Sequence, residues 1–276
     1  MTDPTPYSAA TSPAPHGAPD VSYSVAGAVA TLSLSNPARL NAMTAAMWAA
    51  LPNRIAEAES DPAVRVIVVR GAGDRAFSAG ADISEFAESR SGSAAAQYNE
   101  LNHAAFAALH GASKPTVAMI HGPCLGGGLA IAACCDLRWA DTAAQFSIPA
   151  ARLGIGYDPR WIQPLLRILA PPQVKELLFT ARRFSASDAA AIGLVNRIAA
   201  PEALTADVEA LTADIAANAP LTLRAAKVAI DTLARKPETA DLTRLDTFIA
   251  ACFASEDYAE GCRAFMEKRK PVFQGR

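Results

Sequence analysis

Apolar and polar positions alternate over residues 21–25 and again over 29–34, with Gly27 between the two runs. A period of two predicts a pair of strands turning at Gly27. Over 44–60 the spacing changes to that of a helix, with Asn41 or Thr44 as its cap and a kink at Pro52. VRVIVV at 64–69 is apolar on both faces and reads as a buried strand that Gly71 ends. Residues 83–97 contain SRSGSAAAQ and read as mobile, followed by a helix over 98–109. Then come a strand at 116–120, a helix at 127–135 and a strand at 137–140. Strands alternating with helices predict an α/β fold whose parallel sheet is built from βα units in a slow spiral. From about Pro159 the strand signal all but disappears. Helical spacing recurs at 174–180, 186–192, 202–218, 221–234, 242–253 and 258–268. No repeat of 20 to 50 residues is evident.

Composition refines this picture at a few points. Residues 1–20, MTDPTPYSAATSPAPHGAPD, lack large apolar groups and read as a disordered leader. The remaining chain suits a well-filled core, since the whole is 51% hydrophobic and 19% charged. A net charge of -2 offers no electrostatic footprint for nucleic acid. No apolar run reaches the roughly 18 residues of a membrane span, so a soluble, cytoplasmic protein is expected. His16, His103, His110 and His121 lack metal-ligand spacing with acidic or cysteine neighbours, so neither a metal nor another cofactor is expected. The five cysteines, two of them adjacent in an apolar setting, read as reduced core thiols.

Candidate chemistry concentrates in two stretches, AFSAGADI at 76–83 and KPTVAMIHGPCLGGGLAIAACCD at 114–136. Each is a strand that runs into a turn of small residues, Ala79-Gly80-Ala81 and Gly126-Gly127-Gly128, and then opens a helix. Two such turns can aim two backbone N–H groups at one point and hold an oxyanion without any side chain. No Asp or Glu lies between Lys114 and Asp136, so an acid or base must come from elsewhere.

These stretches, together with RLNAM at 39–43, AQFSIPAARLGIG at 144–156, LLFTARRFSASDAAAIGLVNRI at 177–198 and AFMEKRKPVF at 264–273, resemble the crotonase superfamily, also called enoyl-CoA hydratase/isomerase. The resemblance implies a crotonase-like spiral of ββα units over 21–200, bearing an acyl-CoA site, and a helical trimerisation region over 201–276. It also implies an acyl-CoA thioester as substrate, with coenzyme A present only as part of that substrate, and a homotrimer or a dimer of trimers. Ala81 and Gly127 would supply the oxyanion hole. Arg39, Ala79, Asp82, Ile83 and Gly126 would contact the coenzyme A thioester, joined by Phe265 and Lys268 from a neighbouring subunit. Ser84 stands where the family often has a lysine.

One departure redirects the chemistry. The two glutamates that hold and split water in the family's hydratases fall at Ala130 and Ala150. Neither alanine can transfer a proton, so two-carboxylate hydration does not follow. Asp158, in LGIGYDP, falls where dienoyl-CoA isomerases carry a catalytic aspartate and where 4-chlorobenzoyl-CoA dehalogenases carry a nucleophilic one. Asp158 followed by Pro159 is equally a helix N-cap with proline at N1. His103 matches the dehalogenase histidine that activates water, although the tryptophan expected beside that nucleophile is replaced by Ala150. Phe86, Tyr157 and Trp161 are candidate pocket aromatics. Three functions fit these residues: an isomerase-like enzyme using Asp158 as acid/base, a thioester hydrolase or dehalogenase using Asp158 and His103, and a non-catalytic acyl-CoA binder.

Overall fold

The computed structural model describes residues 18–85, 92–235 and 241–276. Its centre is a six-stranded sheet in the order β1-β2-β3-β4-β6-β9. Strand β1 (Asp20–Ala26) pairs antiparallel with β2 (Val29–Ser35). Strands β3 (Val66–Gly71), β4 (Thr116–Ile120), β6 (Leu137–Asp141) and β9 (Arg197–Ala199) then add in parallel. A second sheet of three short strands, β5 (Pro123–Leu125), β7 (Gln145–Ser147) and β8 (Phe184–Ser185), is entered after β4 and again after β6.

The continuous apolar runs of β3 and β4 are explained by burial on both faces. Ile67, Val69, Ala118 and Ile120 face the main core with helices α1 (Ala45–Ser60), α2 (Gly92–His110) and α3 (Gly127–Cys134). Val66, Val68, Val117 and Met119 face a second layer with Leu204 and Val208 of α7 (Leu204–Ala216). Between these lie α4 (Pro159–Ile168), α5 (Pro171–Thr180) and α6 (Ala186–Ala191). Helices α8 (Pro220–Arg235), α9 (Leu242–Phe253) and α10 (Glu256–Glu267) follow. They leave Ile249, Phe253, Tyr258 and Phe265 exposed around an apolar cavity of about 810 Å³.

Several expectations need correction. Residues 92–97 begin α2 instead of a mobile loop, because Ala94–Ala96 are strong helix formers. Residues 86–91, with Phe86, lie outside the described residues, as do 1–17 of the leader, whereas Asp20 already belongs to β1. Thr44 caps α1 by accepting from the Met47 N–H at 3.2 Å. Asn41 instead sits at φ 56° and ties its amide to the carbonyls of Ala72 and Ala76. Strands β8 and β9 fall in the stretch where the strand signal all but disappears. Of the cysteines, Cys124, Cys134 and Cys135 are buried free thiols, Cys252 is half-buried and Cys262 is exposed. Burial pushes the Cys134 thiol up to about 12, against some relief from Arg167 and Arg138, so it stays protonated. No helix among the described residues is long and apolar enough to cross a membrane.

Candidate active site

The AFSAGADI turn is laced into the sheet from both sides. Ser78 bridges Cys124 of β5, and Ala81 bridges Met43 just ahead of α1. The Ala79 N–H donates to the Leu40 carbonyl at 2.9 Å, Met43 N–H to Gly80 O at 2.7 Å, and Asp82 N–H to Met43 O at 2.9 Å. Gly80 is required where the two turns meet. Its φ is +94°, and a Cβ there would lie 2.8 Å from Leu125 O and 3.2 Å from Gly127 N. On the other side, the Gly126 N–H donates to Ser147 O at 2.8 Å, which fixes the entry to α3.

Ala81 and Gly127 therefore face each other. A Cβ on Gly127 would lie 3.7 Å from Ala81 N and 3.0 Å from Cζ2 of Trp48. Among the described residues, neither the Ala81 nor the Gly127 N–H has a protein acceptor. Gly127 is also the first residue of α3, so the positive end of that helix points the same way. At its far end the buried Arg138 guanidinium donates to the carbonyls of Cys135 and Leu194. Ala130 and Ala150 are buried, and α3 itself contains no charged residue.

Asp158 and His103 come together because α3 packs between α2, which bears His103, and α4, which Asp158 caps. His103 Nε2 lies 3.1 Å from Asp158 Oδ2, and both side chains are largely shielded. Arg160, two residues on, clamps the same carboxylate. Its N–H and Nε donate to Oδ1 at 2.8 and 3.1 Å, and its Nη2 donates to Oδ2 at 2.9 Å. The Arg160 side-chain bonds are the main reason that the Asp158 carboxyl is held down to about 2. Its N–H and the nearby His103 add to this, against a smaller opposing effect of burial. Trp161 packs at 5.3 Å against Tyr157 and 6.2 Å from His103, so both aromatics build the wall behind the pair.

The remaining sequence-derived candidates are spread more widely. Asp82 is buried and accepts from Arg39 Nη1 at 2.9 Å and from the Ser84 N–H and hydroxyl at 3.0 and 2.7 Å. Burial opposes its charge, but the Ser84 bonds and Arg39 outweigh this and hold the carboxyl below its usual range. Arg39 keeps 53% of its side chain exposed and so remains open to an anion. The backbone of Ile83 opens a short 3-10 turn, while its side chain lies outside what is described. Phe265 is 82% exposed, and Lys268 ends α10 in the left-handed conformation at φ 54°. Neither touches the Ala81–Gly127 region of its own chain in any contact described. Sequence reasoning missed Trp48, Tyr98 and Arg160. The first two look like core positions of amphipathic helices; for Arg160, its place at N2 behind an aspartate N-cap was the available signal.

Relatives agree with this architecture. Residues 24–276 match the sequence profile of the family described as Enoyl-CoA hydratase/isomerase. A crotonyl-CoA hydratase from Syntrophomonas wolfei is 34% identical over 249 residues, covering 89% of this chain and 94% of the relative. A carnitinyl-CoA dehydratase from Escherichia coli O157:H7 is 30% identical, with 91% and 96% covered. The crystal structure of an enoyl-CoA hydratase/carnithine racemase from Magnetospirillum magneticum superposes with a TM-score of 0.89 at 35% identity, covering 93% of this chain and 96% of that one. With profile, relatives and fold in agreement over nearly its whole length, this chain belongs to the enoyl-CoA hydratase/isomerase family of enzymes.

Proposed function

We propose that this protein acts on an acyl-CoA thioester. The thioester oxygen is held by the N–H groups of Ala81 and Gly127, and protons are moved by Asp158 with His103 beside it. The observation that carries this reading is the juxtaposition of two backbone N–H groups that, among the described residues, have no protein acceptor, at the start of a buried and uncharged helix. In such a dry setting, donors aimed at a developing enolate oxygen are worth several kcal/mol. Arg39, positioned by Asp82, is the cation on hand for the coenzyme A phosphates. Ala79, Ile83 and Gly126 supply backbone around the thioester, and Phe265 and Lys268 reach it from a neighbouring copy in a trimer or dimer of trimers. No further cofactor is needed.

Hydration of an enoyl group needs a base for water and an acid for the α-carbon. Ala130 and Ala150 supply neither, so one carboxylate shuttling a proton between carbons is the better fit. As clamped by Arg160, Asp158 is a weak base. Arg160 is 62% exposed, so it can swing away when the acyl chain enters, and the main restraint on the carboxylate's basicity goes with it. The test is turnover of an enoyl-CoA panel in D₂O. Deuterium should enter the acyl chain of a double-bond isomer, and Asp158→Ala should abolish this. Crotonyl-CoA hydration at an ordinary enzymatic rate, unaffected by Asp158→Ala, would falsify the reading.

The 3.1 Å contact of His103 with Asp158 also favours a second reading. In it, an Asp158 oxygen attacks either the thioester carbonyl, expelling the coenzyme A thiolate and leaving a mixed anhydride, or the halogen-bearing aryl carbon, expelling halide and leaving an aryl ester, and His103 takes a proton from the water that hydrolyses that adduct. An acyl adduct on Asp158, trapped and located by mass spectrometry, is its signature. Full turnover of aryl-CoA by Asp158→Asn rules it out.

A further inference from the structure

A cavity of about 430 Å³ lies between α2 and α4, with the buried Cys134 of α3 in its lining. Its polar lining is one-sided in charge. Helix α2 contributes His103 and His110, and α4 contributes Arg160, Gln163 and Arg167. The two histidines are seven residues apart, as are the two arginines, so each helix sets its pair on one face about 10 Å apart. Among the described residues, no Asp or Glu lines the cavity. The neighbouring acids stand at its Arg160 end. Asp158 accepts from Arg160, and Glu100 Oε1 lies 3.7 Å from Arg160 Nη1 and 3.4 Å from His103 Nδ1. At the other end, Arg167 is close enough to Cys134 to offset part of the effect of burial on its thiol.

We infer that this cavity binds a small doubly charged oxyanion, inorganic phosphate or a phosphate monoester, and that its occupant draws Arg160 off Asp158. An arginine fork meets phosphate oxygens with two parallel N–H bonds. Arginine side chains are long enough to close the gap between Arg160 and Arg167 from both ends. Phe106 and Pro164 leave apolar wall for the organic part of a monoester. Arg160 is 62% exposed and is held chiefly by the one Asp158 carboxylate, so it exchanges that partner for an anion without disturbing the core. Its backbone N–H stays on Asp158 Oδ1 at 2.8 Å, and the N-cap of α4 survives the exchange. What changes is Asp158. Released from the side-chain bonds, it becomes a stronger base beside His103. The anion thus controls proton transfer at Asp158 without touching a substrate.

Calorimetry with inorganic phosphate and with glycerol 3-phosphate tests the idea, at mildly alkaline pH where both are dianions. Ionic strength is held constant with chloride so that screening does not change. Phosphate should bind with a saturable heat at one site, and Arg167→Gln should weaken it at least about tenfold, as expected for lost charge-assisted hydrogen bonds. Competition for Arg160 is reciprocal. Asp158→Asn, which keeps a competent N-cap, should therefore tighten phosphate about fivefold or more, and the gain should vanish in an Arg160→Gln background. If Arg167→Gln fails to fold by circular dichroism, Gln163→Glu puts a carboxylate into the cavity from an exposed position and should abolish binding. Tighter binding of glycerol 3-phosphate makes an organic monoester the occupant, and the reverse makes it inorganic; both support the site. Heats no different from those of chloride overturn the inference, as does an affinity unchanged by Arg167→Gln or Gln163→Glu. No tightening in Asp158→Asn, or a gain that survives without Arg160, overturns it as well. None of these measurements uses a thioester, so their outcome is separate from that of the acyl-CoA reading.

Discussion

Replacing Arg160 by glutamine isolates the clamp on Asp158. The change removes the Nε and Nη2 bonds of 3.1 and 2.9 Å but leaves the backbone N–H bond of 2.8 Å and the His103 contact intact. Asp158 is depressed from 3.8 to about 2, chiefly by those side-chain bonds. That depression corresponds to roughly a 60-fold loss of proton affinity. A carboxyl whose folded pKa is lowered adds stability above its unfolded pKa and loses it as pH falls through the folded value. The natural protein should therefore be the more stable of the two between pH 5 and 7. The gap should narrow from about pH 4, with about half of it gone near pH 3. The absolute gap stays small because the Arg160 side chain is 62% exposed and solvent screens it. Urea unfolding midpoints of both proteins from pH 7 to pH 2.5 measure the effect, with Asp158→Asn as the background in which Arg160→Gln should have little consequence. The variant should also move the acid limb of any Asp158-dependent turnover upward. A gap that is constant or widening on acidification, or that persists in the Asp158→Asn background, refutes the clamp as the cause.

Other parts of the structure give equally direct tests. Gly127→Ala places a methyl group 3.0 Å from the Trp48 ring, so acyl-CoA affinity by calorimetry should fall by tenfold or more. Asp257 accepts from the Gln274 and Gly275 N–H groups at 2.6 and 2.8 Å, so Asp257→Ala should release the C-terminal strap. Faster amide exchange at those two residues, with about 2 kcal/mol of lost stability, is the expected result. Asp141→Ala strips the buried His121 ring of its 3.0 Å partner and the Gly122 N–H of its acceptor. A cost of about 3 kcal/mol in denaturant unfolding is expected, without any change in the affinity of a bound thioester.

The sequence made legible those parts of the fold whose period runs long enough to be counted. The alternation in β1 and β2 and the two-sided apolar runs of β3 and β4 belong to this class, as does the helical spacing of α9, which spans Leu242–Phe253. Strands β5, β7, β8 and β9 have three residues or fewer. Over that length no period exists, and each is a strand only because a distant segment pairs with it. The site shows the same division. Ala81 and Gly127 are visible through their local turns, whereas the meeting of His103 and Asp158 joins residues 55 apart in the chain and needs α3 between their helices. Trp48 differs in kind: it packs against Gly127 and bonds to Tyr98 across the fold, and nothing local on the buried face of an amphipathic helix announces either contact.

The position of the charges limits the reaction that this cradle can serve. Around Gly127 stand its own N–H and that of Ala81, the start of a helix with no carboxylate, and the buried Trp48 ring, with buried Ala130 on the same helix. Low polarity strengthens the pull of the N–H groups on a developing oxyanion. It also leaves a water molecule without a base to activate it. His103 and Asp158 stand elsewhere, where α2 and α4 flank α3, and His103 lines a cavity there together with Cys134. Polarisation at the carbonyl reaches carbons beyond the α position only through conjugated double bonds. On the proposed reading, therefore, conjugated dienoyl or aryl thioesters should be processed in preference to crotonyl-CoA. A comparison of their turnover, with Asp158→Ala as the control, decides whether the separation of cradle and carboxylate is the working arrangement of this site.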